Sequence, residues 1–164
     1  MSSPRQLLTL TIVHQPPKVL LGLKKRGFGE GRWNGFGGKV MEGESIEEAA
    51  HRELEEECGI VGIGLNKVGI MEFEFKDDPT VLEVHLFKVS DFSGEPVETD
   101  EMRPIWFGET EVPFDSMWPD DKLWFPYFIA GQKFRAKFSL EDKDTLTDYD
   151  IKRVETFEDD EELE

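Results

Sequence analysis

Cysteine is almost absent from this chain: 164 residues contain one, Cys58. A single thiol excludes an internal disulfide framework and fits a reducing compartment. A cytoplasmic protein is therefore expected, with a mitochondrial or nuclear fraction left open. Long apolar runs are missing as well. No stretch approaches the ~20 residues of a membrane span, and the opening "MSSPRQLLTL" lacks the extended apolar core of a signal peptide. No membrane association is expected. Histidine is scarce, with three in the chain, and these plus one cysteine offer no convincing zinc spacing. Positive charge is the remaining deficit: 19 Lys and Arg against 36 Asp and Glu give a net −17. That field repels duplex nucleic acid, whose binding depends on neutralising phosphates. It repels a nucleoside triphosphate equally, unless cations intervene.

What is present describes one folded domain, monomeric by default. Hydrophobic residues make up 38% and aromatics 12%, too much apolar surface for a disordered chain. Part of the negative charge is peripheral. The stretch "ETFEDDEELE" from Glu155 holds seven acids and no base, leaving −10 elsewhere. Residues 1–154 are read as the domain and 155–164 as a solvated, disordered tail. Within the domain, "LLTLTIV" and "KVLLGLK" flank "HQPP", which predicts a hairpin. "KVGIMEFEF" and "VLEVHLFKV" around "KDDPT" predict a second. "MRPIWFG", "QKFRAKFSL" and "TLTDYDIKRV" read as further strands. Two helices are predicted, about 46–58 and 119–130. The second has Pro119 in its first turn, Gly131 as its stop and Pro126 as a source of distortion. Strands with only two helices predict an α/β class fold, a mixed β-sheet covered on its faces.

The first predicted helix carries the chemistry. Ser45 and Glu48 match a capping box, and Gly59 suits a left-handed C-terminus. With Glu53 at 0°, Glu56 falls near −60° and Glu57 near +40° at about 100° per residue. Ile46, Ala49 and Ala50 share that azimuth, so an apolar stripe becomes three clustered carboxylates in the helix's second half. Like charges at these spacings cost roughly 0.2–0.5 kcal/mol per pair when exposed, and far more when partly buried. Two readings stand: a solvated acidic face, or a metal site. An all-oxygen ligand set selects Mg²⁺, Mn²⁺ or Ca²⁺ over zinc.

The stretch then shows a resemblance. Gly38, five residues, Glu44, seven residues and "RELEEECGI" from Arg52 to Ile60 match every fixed position of the Nudix box. "LLGLKKRGFGEGRWNGFGGKV", "DEMRPIWF" and "MWPDD" extend the likeness to about Val154. The chain thus resembles the MutT type of Nudix hydrolase. The resemblance implies a Nudix α/β/α sandwich and Mg²⁺-dependent hydrolysis, with Mn²⁺ able to substitute. The implied substrates are damaged purine nucleoside triphosphates such as 8-oxo-dGTP and 2-hydroxy-dATP, converted to monophosphate and pyrophosphate.

Matched residue by residue, the resemblance implies metal ligands at Glu53, Glu56, Glu57, Glu101 and the carbonyl of Gly37. Arg52 and Glu44 would orient the box, although Arg52 could equally form a surface ion pair and Glu44 serve the start of the helix. It makes Lys24 a substrate contact within "LKKRG", a cluster that on its own reads as solvated. Phe36, Gly37, Gly38 and Lys39 are further implied substrate contacts; the glycine pair can let backbone approach phosphate closely, or could otherwise be a simple turn. Asp120 and Asp121, with Asn34, are implied to read the base, Trp118 to stack on it, and Pro119 to lie alongside. Without the resemblance, Asp120 and Asp121 read as helix-capping residues and Asn34 as a turn residue. Thr9, Phe28, Phe73, Phe75, Leu82 and Met102 fall at its pocket-lining positions, Leu82 where near relatives have Met.

Two other functions fit the same residues. One keeps the fold but cleaves a dinucleotide, a nucleotide sugar or capped RNA, because the box alone does not specify substrate. "MWPDD" argues against it. The other is a non-catalytic binding module; such modules commonly lose box carboxylates, and all of them are here.

Overall fold

Ile12 and Val13 are both fully buried neighbours on one strand, yet they enter different cores, because successive side chains on a strand point to opposite faces. That alternation builds the molecule. In the computed structural model, which describes residues 4–157, the strands are β1 (Arg5–Gln15), β2 (Lys18–Lys24), β3 (Trp33–Asn34), β4 (Val61–Ile63), β5 (Asn66–Phe75), β6 (Val81–Val89), β7 (Asp91–Ser93), β8 (Met102–Gly108), β9 (Phe134–Asp142) and β10 (Thr145–Arg153). The helices are α1 (Ile46–Cys58) and α2 (Asp121–Ile129). Among the described residues, no helix is long and apolar enough to cross a membrane.

The main sheet runs β10-β9-β5-β6-β1-β2-β3, with β8 also paired to β2, while β4 and β7 form a small separate ribbon. β1–β6 and β5–β9 are parallel and the other pairs antiparallel. This is the mixed sheet read from the sequence, with both predicted hairpins in place. One face packs Ile12, Leu21, Met71, Leu86 and Phe138 against Trp124, Phe125 and Phe128 of α2. The other packs Val13, Leu20 and Phe36 against Leu54 and Cys58 of α1, and Phe87 and Val89 against Ala50. Each fully buried large apolar side chain contributes about 1.5–3 kcal/mol relative to exposure. Alternation along β1, β2 and β6 therefore fixes both helices to the sheet.

α1 has the predicted ends. Ser45 Oγ accepts from the Glu48 N–H at 3.0 Å, and Glu48 Oε1 accepts from the Ser45 N–H at 2.8 Å. Gly59 closes the helix with φ +79°. α2 differs from the prediction. It starts at Asp121, and Pro119 lies in a tight lead-in turn that the Asp121 N–H closes on the Trp118 carbonyl at 3.1 Å. The helix continues past Pro126 to Ile129, and Gly131 (φ +72°) follows its end.

Where β1 and β2 part, the site opens. They pair only through residues 13–15 with 18–20. Beyond that point residues 36–40 run beside β1: the Thr11 N–H donates to the Phe36 carbonyl at 2.6 Å and the Thr9 N–H to the Gly38 carbonyl at 2.9 Å.

Candidate active site

Glu57 is the most deeply placed acid of α1, with 4% of its surface exposed. Its Oε1 accepts the Gly37 N–H at 2.8 Å. A Cβ on Gly37 would lie 1.8 Å from the Thr9 carbonyl oxygen, so only glycine brings this backbone so close to β1. Burial raises the Glu57 pKa to about 7; the Gly37 N–H opposes the shift, and the nearby charges of Glu53 and Glu101 add to it. Thr99 links the neighbouring loop to the same turn. Its hydroxyl donates to the Glu57 carbonyl at 2.9 Å and accepts from the N–H of Glu101 at 3.3 Å.

Arg52 organises the other carboxylates. Its Nε and Nη2 donate to the two oxygens of Glu44 at 2.6 and 3.0 Å. Nη1 donates to Glu53 at 2.6 Å and Glu56 at 3.2 Å, while Nη2 also reaches the Lys39 carbonyl at 3.1 Å. Such a fork matches carboxylate geometry in a way that an ammonium cannot. Glu44 also accepts the Met41 N–H at 2.9 Å; the Arg52 hydrogen bonds, helped by this one, hold its pKa down to about 2. Across the opening, Glu101 accepts from Arg26 Nη2 at 2.7 Å and lies 3.6 Å from Lys24 Nζ, which lowers its pKa.

A pocket of ≈ 360 Å³ is lined by Glu57 and by Asp120 and Asp121. Both aspartates are buried to 2% exposure. Asp120 Oδ2 accepts Trp124 Nε1–H at 2.8 Å, whereas Asp120 Oδ1 and Asp121 Oδ2 are buried without a partner among the described residues. Asp120 makes no side-chain cap for α2, so capping does not explain it. Desolvation raises the pKa of Asp120 to about 6 against the pull of the Trp124 bond. Desolvation and then the adjacent Asp120 raise that of Asp121 well above the usual range, while Arg32 pulls both down. The rim is aromatic: the Phe28 and Trp118 rings lie 5.0 Å apart, and Phe73 stacks on Phe138 at 5.2 Å. Asn34 lines the pocket and its side-chain oxygen accepts the Gly35 N–H at 2.9 Å. This leaves its amide N–H groups as the donors it can offer.

Residues 5–128 match the NUDIX domain family. The chain belongs to the Nudix family. It is 50% identical over 155 residues to the oxidized purine nucleoside triphosphate hydrolase of Mus musculus, covering 94% of this chain and 99% of that protein. The protein of the same name from Danio rerio is 49% identical over 150 residues, covering 92% and 96%. Among solved structures, the crystal structure of the mutator MutT protein from Bacillus halodurans matches with a TM-score of 0.80 at 28% identity, covering 89% of this chain and 97% of that one.

Within this Nudix domain, the pocket collects most of the residues expected from the sequence: Thr9, Lys24, Phe28, Asn34, Gly37, Gly38, Lys39, Glu57, Phe73, Phe75, Leu82, Met102, Trp118, Asp120 and Asp121. Two expected substrate residues fall outside the lining. Phe36 is fully buried among Val13, Leu20 and Leu54, so its side chain serves the core packed on α1. Pro119 occupies the lead-in turn, with its neighbours Trp118 and Asp120 directed into the lining. Leu8, Leu10, Arg32, Met71 and Val84 also line the pocket and were missed; they read as ordinary strand and loop residues, and nothing local marks them. The Nudix carboxylates suit a hard divalent cation, being all-oxygen donors around a deeply buried Glu57. Gly38 leaves room where a Cβ would sit 2.9 Å from Glu53 Oε2. They are not gathered for it, however. Among the described residues no three Asp, Glu, His or Cys side chains converge on one point, since Arg52 holds Glu53 and Glu56 while Arg26 and Lys24 hold Glu101.

Proposed function

We propose that this Nudix hydrolase cleaves oxidised purine nucleoside triphosphates, such as 8-oxo-dGTP and 2-hydroxy-dATP, to the monophosphate and pyrophosphate. The observation that carries the reading is the buried acid pair. Asp120 and Asp121 present two oxygens without partners among the described residues inside an aromatic pocket that is also lined by Glu57 of α1. Buried polar atoms without partners are costly, and a purine edge rich in N–H and C=O groups satisfies them. The names of the mouse and zebrafish relatives support the same substrate class.

The two raised pKa values favour one shared proton over two charges on the pair. A protonated acid donates to a base oxygen while its ionised neighbour accepts from base N–H groups. Trp118 stacks on the base with Phe28 beside it, and Asn34 donates to it. At the other end Lys24 and Lys39 meet the phosphates. Arg52 orients Glu53 and Glu56 through its fork, and Glu44 holds Arg52 in turn. Glu53, Glu56, Glu57, Glu101 and the Gly37 carbonyl would hold Mg²⁺, which supplies neutralisation of phosphate oxygens and activation of the attacking water. An α1 carboxylate takes the proton of that water, and hydrolysis needs little else beyond positioning. The cellular role is sanitation of the nucleotide pool by a monomeric, cytoplasmic protein.

Pyrophosphate release from a panel of damaged and normal nucleotides with Mg²⁺ tests the reading. Oxidised purine triphosphates should be hydrolysed fastest; preference for a dinucleotide or nucleotide sugar, or no release at all, would overturn it. In ¹⁸O-water, attack at the β-phosphorus labels pyrophosphate and leaves the monophosphate unlabelled.

A further inference from the structure

We propose that Arg32 and the β9–β10 turn form a strut that positions Trp118 as a wall of the pocket, making Arg32 and Asp144 positioning residues for base binding. The inference rests on the reading of that pocket as a purine site. Arg32 immediately precedes β3 and belongs to the pocket lining. Its guanidinium lies over the Trp118 ring at 4.6 Å. Beyond the ring it is anchored 112 residues away in sequence: Nη1 donates to the Lys143 carbonyl at 2.8 Å and Nη2 pairs with Asp144 Oδ1. The turn that supplies these acceptors is itself fixed, because the Asp144 N–H donates to Asp142 Oδ1 at 2.9 Å. β9 carries this turn outward from the core, where Phe138 stacks on the pocket residue Phe73. Backbone bonds set the near end, with the Lys24 N–H on the Arg32 carbonyl at 3.0 Å and the Arg32 N–H on the Gly29 carbonyl at 3.1 Å.

The charges alone do not explain this arrangement. The Asp144 side chain is 81% exposed, and an exposed ion pair stabilises a fold very little. The fork and the stacked plane do something more specific. A planar guanidinium held through both terminal nitrogens presents a flat face, and that face fixes the tilt of the indole on which a base would lie. The Phe28 ring also lies 5.0 Å from that of Trp118, but Phe28 is itself exposed and supplies little restraint. Without Arg32, Trp118 keeps its position in the chain and loses its orientation.

Steady-state kinetics on the full chain with Mg²⁺ and 8-oxo-dGTP test the strut. Arg32→Ala should raise KM roughly five- to tenfold, the size of a partly desolvated cation–aromatic contact, and leave kcat within about twofold. Arg32→Lys should recover only part of that loss, since an ammonium cannot fork. Asp144→Ala should raise KM by about two- to threefold. In a Trp118→Ala background, Arg32→Ala should add little beyond the effect of its charge on Asp120 and Asp121, because a residue acting through another loses that part of its effect when the partner is gone. Inorganic triphosphate, which has no base, should inhibit wild type and Arg32→Ala equally. An unchanged KM, a full additional loss in the Trp118→Ala background, or weakened inhibition by inorganic triphosphate would each overturn the proposal. Acrylamide quenching needs no substrate. The Trp118 component, obtained by difference from the matching Trp118→Phe protein, should become more accessible in Arg32→Ala. Unchanged quenching would sink the strut whatever the enzyme hydrolyses, and absence of 8-oxo-dGTP turnover by wild type would sink only the substrate reading.

Discussion

The Gly37 N–H and the Glu57 carboxylate, 20 residues apart, meet at 2.8 Å, tying the segment beside β1 to the last turn of α1. The contact orients one Glu57 oxygen through backbone and leaves the other for the pocket. It also partly offsets the cost of burying that charge, although burial still wins and the pKa rises.

Replacing Glu57 by Gln keeps an acceptor for Gly37 and removes the charge. Turnover should fall by about two orders of magnitude or more even at saturating Mg²⁺, while the fold survives. Stability moves the other way in chelator. The unfolded chain releases this proton near 4.5 and the folded chain near 7, so between those values the folded state binds the extra proton. Wild-type stability from this group therefore declines as pH rises from 4.5 through 7. Glu57→Gln should lack that decline, with a gain on the order of 3 kcal/mol at most above pH 7. Urea titrations from pH 4.5 to 8 measure it. Near wild-type turnover across a Mg²⁺ titration would remove Glu57 from the metal site.

Arg52→Lys retains the charge and loses the fork that reaches Glu44, Glu53 and Glu56. Its kcat should drop about ten- to a hundredfold, and more Mg²⁺ should be needed for half-maximal rate. KM for the nucleotide should change little, because Arg52 is absent from the pocket lining. Glu44→Gln should show the same signature, and the double variant should be little worse than either single one. A fully active Arg52→Lys enzyme would reduce the fork to a surface ion pair.

Asp120→Asn fixes one donor and acceptor arrangement, whereas the proposed proton-sharing pair could rearrange its own. It should therefore impair 8-oxo-dGTP and 2-hydroxy-dATP unequally, their base edges having different patterns. Asp120→Ala should weaken both, by on the order of 1–3 kcal/mol where buried partners such as Trp124 Nε1 lose their acceptor. The readout is kcat/KM for both substrates from pH 6 to 9. Equal, pH-independent losses would rule out the shared proton.

Most of the expected tail, residues 158–164, lies outside the described residues, but Phe157 is buried beneath Arg135, whose Nη2 donates to its carbonyl at 3.3 Å. Removal of 158–164 should leave kcat/KM within about twofold, exposed charges acting by screened repulsion. Removal of Phe157 as well should lower thermal stability by several degrees, as expected for about 1–2 kcal/mol of lost apolar burial. A large loss of activity from the shorter truncation would give the tail a part in the site.

The long elements were legible because their periodicity is strong. α1 has its capping box and Gly59, and the hairpins announce themselves by alternation around proline-containing turns. β3, β4 and β7 were not legible, since two or three residues carry no period. The start of α2 was misjudged because proline suits a first helical turn as well as a turn before one, and the Trp118 carbonyl decided between them. In the site, the box glutamates and the acid pair stood out as charges in apolar company. Leu8, Leu10, Met71 and Val84 did not, because a pocket wall and a core wall use the same side chains. Arg32 was hidden for another reason: its partners Lys143 and Asp144 are contributed by the far end of the chain.

The separation of β1 from β2 after three residue pairs has a consequence for how such an enzyme can change. The opening is a seam in a hydrogen-bonded sheet, with α1 supplying one end and the lead-in to α2 the other. The two ends can therefore be altered separately. On the proposed assignment, variation at 118–121 should retune which base is accepted and leave α1 untouched, so a library confined to that turn should yield new specificities on an unchanged reaction.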